Sequence, residues 1–217
     1  MDLEEVWRLR EEEVYPKLFG PVGRGIFPLT QVLFDRRFGQ SDIDPRWLFL
    51  GVFEFPPTAD RNSWIYVTSG YSNPWEVAPN ADDAAGESGS GVEFTFAVSE
   101  QGDWAIETLQ VMLAFDLLLG AGPFPNKPLL SVHDRIPLRA PVKGRLDCAI
   151  RNLVLVEREA GAQEFSLPSG KVILFGFTGV TDAELAFAKS DGSPALIDRV
   201  QEAGCHPITN PRRRSLF

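Results

Sequence analysis

Cysteine, histidine and methionine are scarce in this chain, whose 217 residues include only two of each. Cys148 and Cys205 are too few for a disulfide framework, which indicates a reducing compartment and a cytoplasmic protein. His133 and His206 form no H-x3-H pair and the cysteines form no C-x2-C pair, the spacings typical of zinc sites. We therefore expect neither a metal site nor a bound cofactor.

The chain also lacks an uninterrupted run of apolar residues long enough to cross a membrane. Such a span needs about 18 consecutive apolar residues, whereas the longest apolar segment here, LQVMLAFDLLLGAG, is interrupted by Asp116. The N-terminus, MDLEEVWRLREEEVYPKLF, mixes acidic and basic residues and does not resemble a secretory signal. We expect no signal peptide and no membrane partner.

Basic residues are outnumbered, with 21 Lys and Arg against 30 Asp and Glu and a formal net charge of -9. Affinity for nucleic acid comes mainly from Lys and Arg that neutralise phosphates, so this charge predicts no nucleic-acid partner. An acidic surface would instead attract a basic protein. A nucleic-acid patch at the triplet Arg212, Arg213 and Arg214 remains an alternative.

Motifs of known catalytic sites are missing, since no G-x-S-x-G elbow, Walker loop or dinucleotide fingerprint occurs. The segment GESGSG (86–91) has the glycines of a phosphate loop, but it contains no lysine and precedes a strand instead of a helix. His133 and Asp134 would point to opposite faces of a strand, which argues against an acid–base pair. We expect no catalytic residue and no enzyme.

Aromatic residues are abundant, with 16 Phe and 5 Trp, and suit a β-rich core. Period-two alternation predicts strands at SWIYVTSGYS (63–72) and GVEFTFAVS (91–99). Further strands are predicted at WLFLGVFEF, LLSVHDRI, NLVLVERE and KVILFGFTGV, with IFPLTQVLF extended and Ala162 to Ser169 forming a turn. Trp64 and Tyr66 are assigned to the core.

Helices are predicted at four places in the chain. The first covers residues 2–15 and ends near Pro16, and the second runs from Trp104 to about Leu119 with Asp103 as its N-cap. TDAELAFAKS begins with a Thr181–Glu184 capping box, and ALIDRVQEAG follows Pro194. Residues 78–91 contain no large apolar side chain, which predicts a flexible acidic loop. The order of elements predicts a single α+β domain over residues 1–217, with a mixed, largely antiparallel sheet packed against helices.

The central strands resemble the signature of the suppressor-of-fused family. The matching positions are Trp64, Tyr66, Gly70, Tyr71, Gly91, Glu93, Thr95, Phe96 and Trp104. Similarity continues in the same order over residues 45–215, through the strand from Gly170 to Gly179, the TDAEL helix and the tail ITNPRR, which includes Arg212 and Arg213. The chain resembles a bacterial single-domain member of this family.

The resemblance implies a protein-binding domain. Animal members hold a transcription factor inactive by clamping an extended peptide between two domains, and this chain corresponds to the first domain alone. Bacterial members are proposed to be immunity proteins that neutralise toxins by direct binding, and we expect this role. The alternatives are a regulator that sequesters a transcription factor and an uncharacterised hydrolase.

Five residues are candidates for contact with the partner: Tyr71, Trp75, Asp82, Asp83 and Glu87. The two aromatic residues are flanked by small and polar residues, which predicts exposed interface anchors. The three acidic residues lie in the predicted loop, and loops often carry recognition. Glu93 has two interpretations, a solvated carboxylate or a buried partner of Arg212 or Arg213.

Overall fold

A computed structural model describes residues 2–75, 86–124, 126–158 and 161–217. The helices are α1 (Leu3–Arg8), α2 (Tyr15–Phe19), α3 (Gln31–Phe38), α4 (Asp103–Ala121), α5 (Asp182–Asp191) and α6 (Ser193–Glu202). The strands are β1 (Ile26–Pro28), β2 (Gly51–Phe55), β3 (Trp64–Ser69), β4 (Glu87–Val98), β5 (Arg135–Pro137), β6 (Ile150–Glu157), β7 (Glu164–Leu167) and β8 (Gly170–Thr181). A π-helical segment (Leu9–Val14) joins α1 to α2, and a 3-10 turn (Pro45–Phe49) precedes β2.

The eight strands of the described residues form one mixed sheet in the order β1-β2-β3-β4-β8-β6-β5, with β7 paired to the beginning of β8. Among these strand pairs, the central pair of β4 and β8 alone is parallel, with Phe94 opposite Phe175. The other pairs are antiparallel. The predicted α+β class with a mixed, largely antiparallel sheet is therefore confirmed.

Both faces of the sheet are covered, because helical segments pack on each side. Helix α4 packs against β2, β3 and β4 and buries the alternate side chains that include Tyr66, Phe94 and Phe96. On the opposite face, the π segment and α2 cover β2 and β3, and α5 with α6 covers β6 and the end of β8. Helix α4 has the length and composition of a membrane span, but it is largely buried inside the protein.

The N-terminal half differs from the sequence prediction at three places. The segment predicted as extended contains only the short β1, because Thr30 caps α3 by accepting the Leu33 N–H at 3.2 Å and Gly39 (φ 67°) ends that helix. Strand β2 begins at Gly51, four residues later than predicted, since Asp44 caps the 3-10 turn. The helical conformation also continues through Pro16, whose missing N–H is tolerated in the first turn of α2.

The second half contains three further differences. The predicted strand 129–136 begins only at Arg135, because Asp134 accepts the Ser131 N–H at 2.9 Å and holds a turn in which His133 has φ 75°. Residues 164–167 form β7 where a turn was predicted. Gly102, and not Asp103, occupies the N-cap position of α4. The capping box of α5 is confirmed.

The prediction of an acidic loop over residues 78–91 is wrong for the last five of these residues, because β4 begins at Glu87. Ser88 is buried there and donates to the Ser72 carbonyl at 2.7 Å. Gly89 has φ 56° and lies so close to Asn73 that a Cβ atom would be 2.5 Å from its carbonyl oxygen. Small residues are required here by close backbone packing. Residues 78–85, including Asp82 and Asp83, lie outside the described residues.

Candidate functional site

The outer strands of the described sheet offer little edge for pairing with another chain. Strands β1 and β5 are three residues long, and they end in Pro28 and Pro137, which cannot donate a backbone hydrogen bond. Strand β7 packs against the π segment. Binding by addition of a strand is therefore poorly supported, and the faces of the sheet are the better place to look for a site.

A cleft of about 540 Å³ lies on the sheet face opposite α4. Its walls are the end of α2, the turn at residues 58–63 and the segment 206–208. Its floor consists of Thr95 and Ala97 of β4, Val156 of β6, and Gly176 and Thr178 of β8. A volume of this size is typical of ligand-binding sites.

Two arginines line this cleft, and we call them the arginine pair. Arg61 donates to the carbonyls of Phe19 and Ser63 at 2.6 Å and of Pro56 at 2.9 Å. Arg158 donates to the Ala162 carbonyl, and its guanidinium carbon lies 5.1 Å from the centre of the Phe19 ring. Among the described residues, every group that accepts a hydrogen bond from the arginine pair is a neutral carbonyl oxygen.

Burial lowers the pKa of both guanidinium groups. For Arg61, burial alone lowers the pKa. For Arg158, burial and the positive charge of Arg61 together lower the pKa to about 10. The carboxylates of described residues that line the cleft, those of Asp60 and Glu157, belong to exposed residues at its rim. As far as the described residues go, the interior of the cleft is therefore electropositive, although the whole chain is acidic.

An aromatic surface lies near the N-terminus and consists of Trp7, Phe49 and Trp75. The ring of Trp7 stacks on Phe49 and meets Trp75 edge-on, with 6.4 Å between the centroids of each pair. The indole N–H of Trp7 donates to the Asn73 side chain at 3.0 Å, which fixes its orientation. Phe49 is 65% exposed. Large aromatic side chains held rigidly at a surface are favourable anchors for a protein partner.

The solvated interpretation of Glu93 is wrong, and the buried interpretation is right about burial beside an arginine but wrong about which arginine. Its side chain is fully buried and accepts four hydrogen bonds from Thr68, Gly70 and Ser72, at 2.5 to 3.1 Å. Its cationic neighbour is Arg10 of the π segment, whose Nη1 lies 3.9 Å from a carboxylate oxygen. Arg10 also donates to Ser69, Ser72 and Asn73. The group ties the N-terminal segment to the sheet.

The tail arginines have other partners than Glu93. Arg213 forms a two-pronged ion pair with Glu184 of α5, at 2.5 and 2.6 Å, and also donates to the Gly179 carbonyl. Arg212 pairs with Glu100 at 2.7 Å. Two of the three arginines in the basic triplet are therefore engaged with carboxylates, which argues against a nucleic-acid patch.

The remaining signature residues are structural. Tyr66 donates to the buried Glu54 at 3.1 Å, and Thr95 donates to the Phe175 carbonyl at 2.9 Å. Trp64 of β3 and Trp104 of α4 pack against the core between that helix and the sheet. Gly70 (φ 107°) and Gly91 (φ 72°) adopt conformations that favour glycine.

Tyr71 and Trp75 are half-buried, so neither is fully exposed, but both are more exposed than the buried Tyr66. Tyr71 packs on Phe94 and donates to Asp116 of α4 at 2.7 Å, and burial raises the pKa of that carboxyl group. Glu87 is exposed at the start of β4. The assignment of Tyr71, Trp75 and Glu87 to partner contact remains a prediction, and the aromatic surface favours Trp75 among them.

Arg10, Arg61 and Arg158 were not identified from the sequence. Arg10 lies four residues after Val6 and four residues before Val14. This spacing places all three side chains on the same, apolar side of the N-terminal helix, so the burial of Arg10 could have been inferred from the sequence. Arg61 and Arg158 are distant in sequence and carry no local signal. Within the described part of the chain, no group of three or more His, Cys, Asp or Glu side chains is placed to hold a metal ion.

Comparison with known sequences assigns the chain to a family. The profile of the suppressor of fused protein (SUFU) family matches residues 47–214. The chain belongs to the suppressor-of-fused family. This confirms the resemblance seen in the strands around Glu93 and in the tail. No curated protein sequence matches this suppressor-of-fused chain.

Solved structures share the fold of this family member at low sequence identity. A suppressor-of-fused homologue from Neisseria gonorrhoeae is 16% identical, with a TM-score of 0.63 and 97% of each chain covered. Drosophila Suppressor of Fused is 22% identical, with a TM-score of 0.59, and the match covers 77% of this chain but only 42% of the Drosophila chain. A Sufu chain from a Sufu–Fu complex is 22% identical, with a TM-score of 0.59 and 77% of each chain covered.

Proposed function

We propose that this chain is a non-catalytic polypeptide-binding domain that acts in the cytoplasm. The observation that carries the proposal is the aromatic surface, in which Trp7 stacks on the exposed ring of Phe49 and meets Trp75 edge-on. Truncation of such aromatic anchors usually removes most of the affinity of an interface. A related Sufu chain of the same fold has been crystallised in complex with Fu, which supports a polypeptide as the ligand.

The finer proposal is that the bound polypeptide is a toxin and that the domain neutralises it by covering a surface that the toxin needs. Family membership supports this role, because bacterial members of the family are proposed to be immunity proteins. The formal net charge of -9 supports a partner with a basic surface, because opposite charges accelerate association. A regulator that sequesters a transcription factor is the second candidate within the same binding function.

Affinity purification of the tagged protein from its native host, followed by mass spectrometry, tests the function. We expect one polypeptide in stoichiometric amount, and Phe49→Ala should weaken its binding by about tenfold or more. Leu146→Ala is the matched control, because Leu146 is 91% exposed and belongs to no core cluster.

A toxin among the captured polypeptides would support immunity, and a DNA-binding protein would support the regulator. Absence of any stoichiometric partner would contradict the binding function. If the Phe49→Ala and Trp75→Ala variants captured as much partner as the parent protein does, the aromatic surface would not be the binding site.

A further inference from the structure

Among the described residues, no carboxylate pairs with the arginine pair, although the chain has carboxylates in excess. Several other arginines pair with carboxylates: Arg24 with Glu54 and Asp103, Arg212 with Glu100, and Arg213 with Glu184. Arg61 and Arg158 contact only carbonyl oxygens and the ring of Phe19 among the described residues. Two neighbouring cations that are partly removed from water and unpaired form a site prepared for an anion.

We propose that the cleft receives an acidic side chain of the polypeptide that this domain binds, held between Arg61 and Arg158. The inference rests on the proposed binding function and names the chemistry of the segment that enters the cleft. A carboxylate would accept hydrogen bonds from the planar guanidinium of Arg158 and would neutralise the repulsion between the two cations.

The walls of the cleft indicate an acidic side chain within a peptide and not a free ion. Leu18, Ile65, Ala97, Val156 and Ile208 line the site together with the arginines. A small inorganic anion would leave most of a 540 Å³ cleft unfilled, whereas apolar side chains on either side of the acidic residue would cover these walls.

The rim limits how many acidic residues the segment carries. Asp60 and Glu157 are exposed at the opening and would repel a second carboxylate close to the first. The segment that fits the cleft therefore has one Asp or Glu flanked by apolar residues. A partner with a basic surface can still carry this acidic residue. The net charge of the whole chain attracts the partner as it approaches, whereas the cleft recognises a single side chain once the two proteins are in contact.

Selection of peptides on the intact protein tests this proposal without knowledge of the natural partner. The probe is a phage-displayed library of short random linear peptides, and the selected peptides are synthesised and measured by isothermal titration calorimetry. We expect them to share one Asp or Glu between apolar residues. Changing that residue to Asn or Gln should weaken binding by about tenfold or more, as for a charged hydrogen bond in a buried site.

Arg158→Met is the protein variant of choice, because the Met side chain is long enough to pack on the Phe19 ring without the charge and Arg158 donates to a single carbonyl. It should weaken binding as much as the change in the peptide does, and the two changes together should weaken it no further than either alone. Arg145→Met is the control, since Arg145 is exposed and pairs with Asp147 outside the cleft.

Three results would overturn the proposal: selected peptides without an acidic residue, acidic peptides whose affinity is unchanged by Arg158→Met, or binding of inorganic phosphate and acetate alone. Failure here is distinguishable from failure of the proposed function. A natural partner whose capture depends on Phe49 but not on Arg158 would keep the binding function and remove the cleft from it.

Discussion

At the scale of the residue, Glu93 illustrates why a buried charge requires a complete set of partners. Four hydrogen bonds and the nearby guanidinium of Arg10 compensate its removal from water. These partners come from β3, from the turn after it and from the π segment. One carboxylate therefore holds three parts of the chain together. The arginine pair of the cleft is the opposite case, in which the described residues supply no carboxylate.

Replacement of Glu93 measures how much its hydrogen bonds and the nearby Arg10 contribute to the stability of the protein. We expect Glu93→Gln to lower the free energy of unfolding by about 3 kcal/mol, because an amide cannot accept all four bonds and leaves the charge of Arg10 buried. Urea denaturation gives this value. Glu87→Gln, on the same strand but exposed, should change it by less than about 0.5 kcal/mol. Equal stability of the two variants would contradict the structural role of Glu93.

At the scale of the element, the start of β4 shows how small residues allow backbones to approach. Ser88 donates to the Ser72 carbonyl and lies 2.5 Å from the Ser169 hydroxyl, so it joins the turn after β3 to the turn before β8. Gly89 lies against Asn73 in the same region. A segment that is polar and glycine-rich in sequence is therefore part of the central sheet.

Two glycine substitutions separate close packing from backbone preference. Gly89→Ala should lower the free energy of unfolding by about 2–4 kcal/mol, since the new Cβ would lie 2.5 Å from the Asn73 carbonyl oxygen. Gly144→Ala should cost only about 1 kcal/mol, because Gly144 has a similar φ of 68° but no atom within 4 Å of the new Cβ. The difference between the two losses of unfolding free energy, measured by urea denaturation, gives the cost of the close contact between residue 89 and Asn73. A smaller loss for Gly89→Ala would show that β4 can move away at this point.

At the scale of the whole molecule, the C-terminal segment joins the two halves of the sheet. Thr209 exchanges backbone hydrogen bonds with Ala97 and Ser99 of the β4 side and accepts the Gly179 N–H of β8 at 2.9 Å. Arg213 then pairs with Glu184 at the start of α5. The stability of the protein therefore depends on an ion pair between its tail and a helix of the opposite half.

Acid denaturation should report this ion pair. Burial acts to raise the pKa of Glu184, but hydrogen bonds from Arg213 and Thr181 outweigh it and hold the pKa below its ordinary value of 4.5. A carboxyl group whose pKa is lower in the folded state stabilises the protein above its unfolded pKa, and that contribution is lost as the pH falls through the folded pKa. We expect the protein to lose stability steeply below about pH 4.5.

Glu184→Gln should be less stable at neutral pH by about 3–5 kcal/mol, because Arg213 stays buried without its partner. Its stability should also fall less steeply in acid. Urea denaturation at a series of pH values measures both effects. Glu202→Gln is the matched control, since Glu202 pairs with Arg199 at the surface. Parallel pH profiles for the parent and Glu184→Gln would exclude Glu184 as the group that titrates.

Local patterns in the sequence determined much of the architecture. Alternation identified β3 and β4, the apolar segment around Met112 identified α4, and Thr181 with Glu184 identified the start of α5. The order of these elements and the family signature indicated a mixed sheet and a suppressor-of-fused fold. These predictions succeeded because periodicity and capping involve residues that are close together in the chain.

Contacts between distant residues were decided only by the tertiary structure. Arg10 lies beside Glu93, Arg213 beside Glu184, and Arg61 beside Arg158, and none of these pairs is close in sequence. The charge of a residue alone does not identify its partner, because any of the 30 acidic residues can compensate a given arginine. Sequence thus determined most of the central elements, whereas packing decided which charges are paired and left the arginine pair without a carboxylate among the described residues.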